Sequence, residues 1–182
     1  MKARLKAVDP STTSDAAKEL LDGVQAKLGI TPNLHRTMAN APAVLEGYLN
    51  FSNALTKGSL SARLREQIAL AVSQANSCDY CLAAHSAVGK ALGLNGRELL
   101  DSRLGQSADS KTDAALKFAR RVVSERGSVS DDDLVQLRKV GFGDGEIAEI
   151  LANVALNIFT NYFNHVAGTE LDFPKVSAVI AA

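Results

Sequence analysis

Glu66, Cys78, Cys81 and His85 follow one another as a glutamate, eleven residues, two cysteines separated by two residues, and a histidine four past the second thiol. The chain has 2 cysteines, and this is where both are. Thiols so placed can cycle between dithiol and disulfide, and an imidazole with a carboxylate nearby can move the accompanying protons. On one helix, steps of three and four keep Cys78, Cys81 and His85 within about a 60° arc. Cys81 and His85 at i, i+4 then come within hydrogen-bonding reach. Asn76, Ser77 and Asp79 are capping residue types. The cysteines are therefore expected in the first turns of a helix, where the helix dipole favours thiolate.

Glu66 is expected on the preceding helix, whose apolar stripe runs Leu64, Ile68, Ala71, Val72 and Ala75. Its own side carries Ala62, Ala69, Leu70 and Ser73, which is hardly polar either. A helix apolar on both sides is a buried helix, and a carboxylate there is expected to be desolvated and raised in pKa. Plainer roles exist for each residue. The cysteines could be inert core, and Glu66 could pair with Arg63 or Arg65. Zinc could draw on Cys78, Cys81, His85 and either Glu66 or His165, but structural zinc usually takes ligand pairs from separate segments, and no second pair exists. A thioredoxin arrangement is disfavoured because the motif lacks a βαβ context.

The elements that must hold these residues read as helical throughout. Ile147, Ile150, Leu151, Val154 and Ile158 repeat the period of three and four. Alternating apolar patterns of useful length are absent, and about seven or eight helices are expected. Thr31-Pro32 reads as a cap followed by a first-turn proline. Ser130 with Asp131, Asp132 and Asp133 opens a helix that Arg138 and Lys139 close before Gly141. Leu92–Leu99 and Val140–Ile147 each read as a glycine stop, a turn, an Asn or Asp cap and a new helix. With no preceding strand and no Lys-Ser/Thr following, the glycines do not make a phosphate loop. Glu66 and His85 are nineteen residues apart, as are Glu146 and His165, which hints at two related halves.

Composition narrows the function classes. At 182 residues, with 46% apolar and 22% charged residues, the chain suits one all-α domain spanning 1–182. A net charge of zero gives no electrostatic reason to expect nucleic acid or an anionic membrane as partner. The basic start Met1–Lys6 runs into Asp9 and Pro10 without an apolar core, unlike a secretion signal. No apolar run reaches membrane-spanning length. A cytoplasmic location is expected, where a close cysteine pair is more often catalytic or metal-binding than a permanent crosslink.

The glutamate–cysteine–cysteine–histidine spacing resembles the AhpD-like alkylhydroperoxidases of the carboxymuconolactone decarboxylase superfamily. The likeness covers about residues 30–170, from Pro32-Asn33-Leu34 to Asn161-Tyr162-Phe163-Asn164-His165, the latter similar to the peroxidase-related branch. It implies an all-helical bundle, assembled as a trimer or trimer-based hexamer. It further implies a thiol peroxidase needing no cofactor beyond its cysteine pair. Cys81 would be the peroxidatic thiolate and Cys78 the resolving thiol, with His85 and Glu66 as proton relay. A dihydrolipoyl-type or thioredoxin-like dithiol would then reopen the disulfide. Tyr80 departs from the pattern, standing where well-known members carry a second histidine, and tyrosine is a poor base near neutral pH. Rival functions for the same pair are a thiol–disulfide relay or sensor, and a non-catalytic oligomer with a Cys2His zinc site.

Glu149, Asn153, Asn157, Thr160 and Asn164 recur at helical spacing, with Asn161 and His165 beside them. Asparagine is a poor helix former, so this stripe is expected either to line a site or subunit interface or to be a wet face. His165 is a secondary site candidate, as is Tyr80. His35 has no evident partner and is expected to be structural.

Overall fold

The computed structural model describes residues 3–176. Met1 and Lys2 of the basic start, and the last six residues of the domain expected over 1–182, lie outside the described residues. Among those described there are nine helices and no strand. They are α1 (Asp15–Leu28), α2 (Asn33–Met38), α3 (Pro42–Leu55), α4 (Ala62–Ala75), α5 (Asp79–Ala91), α6 (Gly96–Leu104), α7 (Ser110–Ser124), α8 (Asp131–Lys139) and α9 (Asp144–Ala167). The all-α expectation holds, with more helices than expected. No described helix is long and apolar enough to cross a membrane.

Local chemistry explains most of the boundaries. Ser61, Asn95, Asp109 and Ser130 each cap a helix by accepting backbone N–H groups. Asn95 with Glu98, and Ser130 with Asp133, form reciprocal capping boxes. Gly93 and Gly141 take left-handed backbone (φ 84° and 89°) just past α5 and α8. Two boundaries differ from the sequence reading. Pro32 is itself the cap of α2 rather than its first helical residue, and the Thr31 hydroxyl turns back to Gln25. Gly143 rather than Asp144 precedes α9, and Glu146 reaches back to its N–H.

Helix α4 is the centre of the bundle, packed against α5, α6, α7 and α9. Residues Gln67 to Ser73 are all buried, which is the two-sided burial its composition implies. On one side Ile68, Ala71 and Val72 meet Leu116 and Ala119 of α7 and Ile150 and Val154 of α9. Of the predicted α9 stripe, Leu151 alone is exposed. A second cluster joins Ala17 and Leu21 of α1, Leu34 and Met38 of α2, and Leu45 of α3 to Cys78, Tyr80 and Cys81. The thiols thus sit in an apolar core.

Glu146 and His165 do not repeat the arrangement of Glu66 and His85. The latter face each other across an antiparallel hairpin, whereas the former lie along the single 24-residue helix α9, about 28 Å apart by helical rise. Glu146 pairs instead with Lys111.

Candidate active site

The hairpin of α4 and α5 builds the site. Asn76 ends α4, Ser77 reverses the chain in left-handed backbone (φ 55°), and Cys78 caps α5. Cys78 is therefore the cap, not a residue of the first turn: its Sγ accepts the Cys81 N–H at 3.4 Å. Cys81 occupies the first turn, where the dipole favours negative charge. The hairpin packs Glu66 of α4 against His85 of α5. The His85 Nδ1–H donates to Glu66 Oε2 at 2.7 Å. Arg63 and Arg65, the rival partners for Glu66, bond to Glu98 and to the Leu60 carbonyl instead.

Cys78 Sγ and Cys81 Sγ are 2.6 Å apart, both thiols, both buried. Cys78 donates to Cys81, and this hydrogen bond is the main cause that lowers the Cys81 pKa below the usual thiol range. Burial opposes it, while the His85 charge and hydrogen bonds from Asn164 and Asn161 reinforce it. The same donation, with burial and the neighbouring charge, raises Cys78. Of the pair, Cys81 is the thiolate. Burial pushes the His85 imidazole down, but the Glu66 charge and hydrogen bond, the Cys81 charge and the Asn157 side chain hold it above its usual value.

His85 acts on Cys81 through its charge. The hydrogen bonds to Cys81 Sγ come from Cys78 and from α9, with Asn164 Nδ2 at 3.2 Å. The i, i+4 contact expected between Cys81 and His85 is not among them.

The asparagine stripe is buried against this hairpin. Asn153, Asn157, Thr160, Asn161 and Asn164 are all at most 5% exposed, which excludes a wet face. Asn161 donates to Ser73 Oγ at 3.3 Å and accepts from Asn76 Nδ2 at 2.9 Å. His165 Nε2 meets the Asn76 carbonyl at 2.8 Å, so it braces the turn before Cys78. Glu149 lies apart and accepts the backbone N–H groups of Ser59 and Leu60.

Tyr80 is turned away from the relay. Its hydroxyl donates to Asp172 Oδ2 at 2.6 Å and accepts the Leu34 N–H at 3.2 Å. Burial and the bond to Asp172 keep its pKa high. His35 is buried beside Tyr48, with ring centroids 5.6 Å apart, and burial lowers its pKa to about 4. Tyr48 packs on the thiol cluster, and its pKa is pushed up to about 12 by burial and by the Cys81 and Glu66 charges. Sequence spacing gave no sign of Tyr48, because its approach is purely tertiary. Among the described residues no three His, Cys, Asp or Glu side chains are placed to hold a metal ion.

The chain and its fold have relatives among known proteins. Residues 42–125 match the carboxymuconolactone decarboxylase family. The alkylhydroperoxidase AhpD core, peroxidase-related protein of Ralstonia eutropha JMP134 is 26% identical, with TM-score 0.85, covering 93% of this chain and 92% of that one. A peroxidase-related protein of Silicibacter sp. TM1040 is 25% identical, with TM-score 0.79, covering 92% of each chain. The debrominase Bmp8, solved with 2,3,4-tribromopyrrole, shares the fold at 19% identity and TM-score 0.79, covering 94% of this chain and 93% of that one. No curated protein matches.

Proposed function

Because this chain belongs to the AhpD-like carboxymuconolactone decarboxylase superfamily, we propose that it is a thiol-dependent hydroperoxide reductase in which Cys81 attacks and Cys78 resolves. The observation that carries the reading is the pair of sulfurs 2.6 Å apart beside a Glu66–His85 bridge of 2.7 Å. The Cys81 thiolate attacks the distal oxygen of a hydroperoxide, R–O–O–H. The S–O bond forms as the O–O bond breaks, leaving Cys81 as sulfenic acid. The departing alkoxide takes a proton from the His85 imidazolium, which Glu66 stabilises, and leaves as alcohol. The Cys78 sulfur then attacks Cys81 Sγ. The Cys78 proton and the expelled hydroxide leave as water, and a Cys78–Cys81 disulfide remains. Two electrons from an external dithiol, dihydrolipoyl-type or thioredoxin-like, restore both thiols.

Substitution of each cysteine tests the assignment. Cys81→Ser should abolish consumption of cumene hydroperoxide. Cys78→Ser should complete one turnover and stop at a sulfenic acid that a dimedone-type probe captures by mass spectrometry. If Cys81→Ser keeps the first turnover and Cys78→Ser loses it, the roles are reversed. If both variants react like wild type, the reading fails.

A further inference from the structure

The Asn164 amide has a donor side and an acceptor side, and the thiolate uses only the donor. Its Nδ2 donates to Cys81 Sγ at 3.2 Å. A thiolate only accepts, so the amide must present its N–H side to sulfur. Asn164 is 5% exposed, and its Oδ1 is buried with no hydrogen-bond partner among the described residues. The other amides of the α9 stripe differ: Asn161 uses both its oxygen and its nitrogen, on Asn76 and Ser73. Asn153 and Asn157 turn their Nδ2 groups back on carbonyls of their own helix. A buried acceptor without a donor is uncommon and calls for an explanation. Here it sits on the same planar amide that touches the reacting sulfur.

We propose that Asn164 Oδ1 receives the O–H of the incoming hydroperoxide and so selects substrates that carry a hydrogen on the attacked oxygen. This rests on the peroxidase reading and adds its substrate class. The distal oxygen of R–O–O–H bears the hydrogen and is also the oxygen that sulfur attacks. One amide can therefore hold the thiolate by its N–H and aim the electrophile by its C=O. Disulfides and dialkyl peroxides have no such hydrogen, and they leave Oδ1 unpaired in their complexes. Asn164 is in this sense a substrate-binding residue.

The test compares two reagents on one thiolate: cumene hydroperoxide, which has the O–H, and methyl methanethiosulfonate, which has neither O–H nor N–H. Rates are measured by stopped flow for wild type, Asn164→Ala and Asn164→Asp. Asn164→Ala loses both faces, so both rates fall, and the peroxide rate should fall about tenfold further than the thiosulfonate rate. Asn164→Asp keeps acceptor oxygens and loses the donor, so its ratio of the two rates should stay within about threefold of wild type. Equal losses on both reagents in Asn164→Ala would overturn the proposal. If that variant does not fold, a tenfold drop of the ratio in Asn164→Asp overturns it equally. A wild-type protein that reacts with the thiosulfonate and leaves the peroxide untouched overturns the peroxidase reading and this proposal with it.

Discussion

Every hydrogen bond that reaches the Cys81 sulfur comes from a donor, and Cys78 is one of those donors, so the two thiols cannot behave alike. Cys81 holds negative charge at a pH where Cys78 keeps its proton. The sign for reactivity follows. Since the Cys81 pKa is lowered, its thiolate persists as pH falls and disappears only as pH passes below the shifted value. The rate with methyl methanethiosulfonate should therefore reach half its maximum below the roughly 8.5 of a free thiol. Glu66→Gln removes the charge that keeps His85 protonated and so should move that midpoint upward. It should also slow peroxide reduction about tenfold at neutral pH with little change in melting temperature. An unchanged profile and rate would remove Glu66 from the relay. The Glu66–His85 contact was legible because a short hairpin turns sequence spacing into spatial register. The grip of Asn164 on Cys81 was not, because a stripe period says that residues share a face but not which atom that face meets.

The α4–α5 hairpin holds its geometry through a three-residue turn. Ser77 sits at φ 55°, a conformation that costs an L-residue about 1–2 kcal/mol. Asn76 beside it is fixed from α9 by Asn161 and His165. Ser77→Val adds a β-branched side chain to that backbone and should lower unfolding stability by about 1–2 kcal/mol in urea titrations. Ser77→Gly should match or exceed wild type. If Val is neutral, the turn is not strained as described. Helix stops and caps were readable from Ser, Asn, Asp and Gly because their effects are local. The shift of the α2 start from Thr31-Pro32 to Asn33, and the continuity of α9 through Glu146 and His165, depend on tertiary packing that spacing does not encode.

For the whole molecule, His35 links pH to folding. Its folded pKa of about 4 lies below its ordinary 6.5, so as pH falls the unfolded chain takes the proton first. Stability from this residue is complete above pH 6.5 and lost progressively down to pH 4, on the order of 3 kcal/mol. His35→Phe keeps the ring beside Tyr48 and should flatten the melting temperature between those pH values; an unchanged slope would show that His35 is not the cause. Leu151, Phe159, Tyr162 and Val166 form one stripe of α9, each 42–61% exposed, and we propose that it seats against further copies in a trimer or trimer-based hexamer. Tyr162→Glu should shift the sedimenting species to the 19.2 kDa monomer; a wild type already monomeric would refute the proposal. The all-α class was legible throughout because the apolar period is helical along nearly the whole chain, whereas exposure along α9 emerges only once the other helices have claimed its opposite face. The most direct measurement on the intact protein is rapid mixing of the reduced chain with cumene hydroperoxide, followed by mass spectrometry. Thiol loss should be far faster than for a free thiol of equal pKa and should end in one Cys78–Cys81 disulfide. Loss at the free-thiol rate, or cysteines still reduced after the peroxide is consumed, would contradict the peroxidase reading.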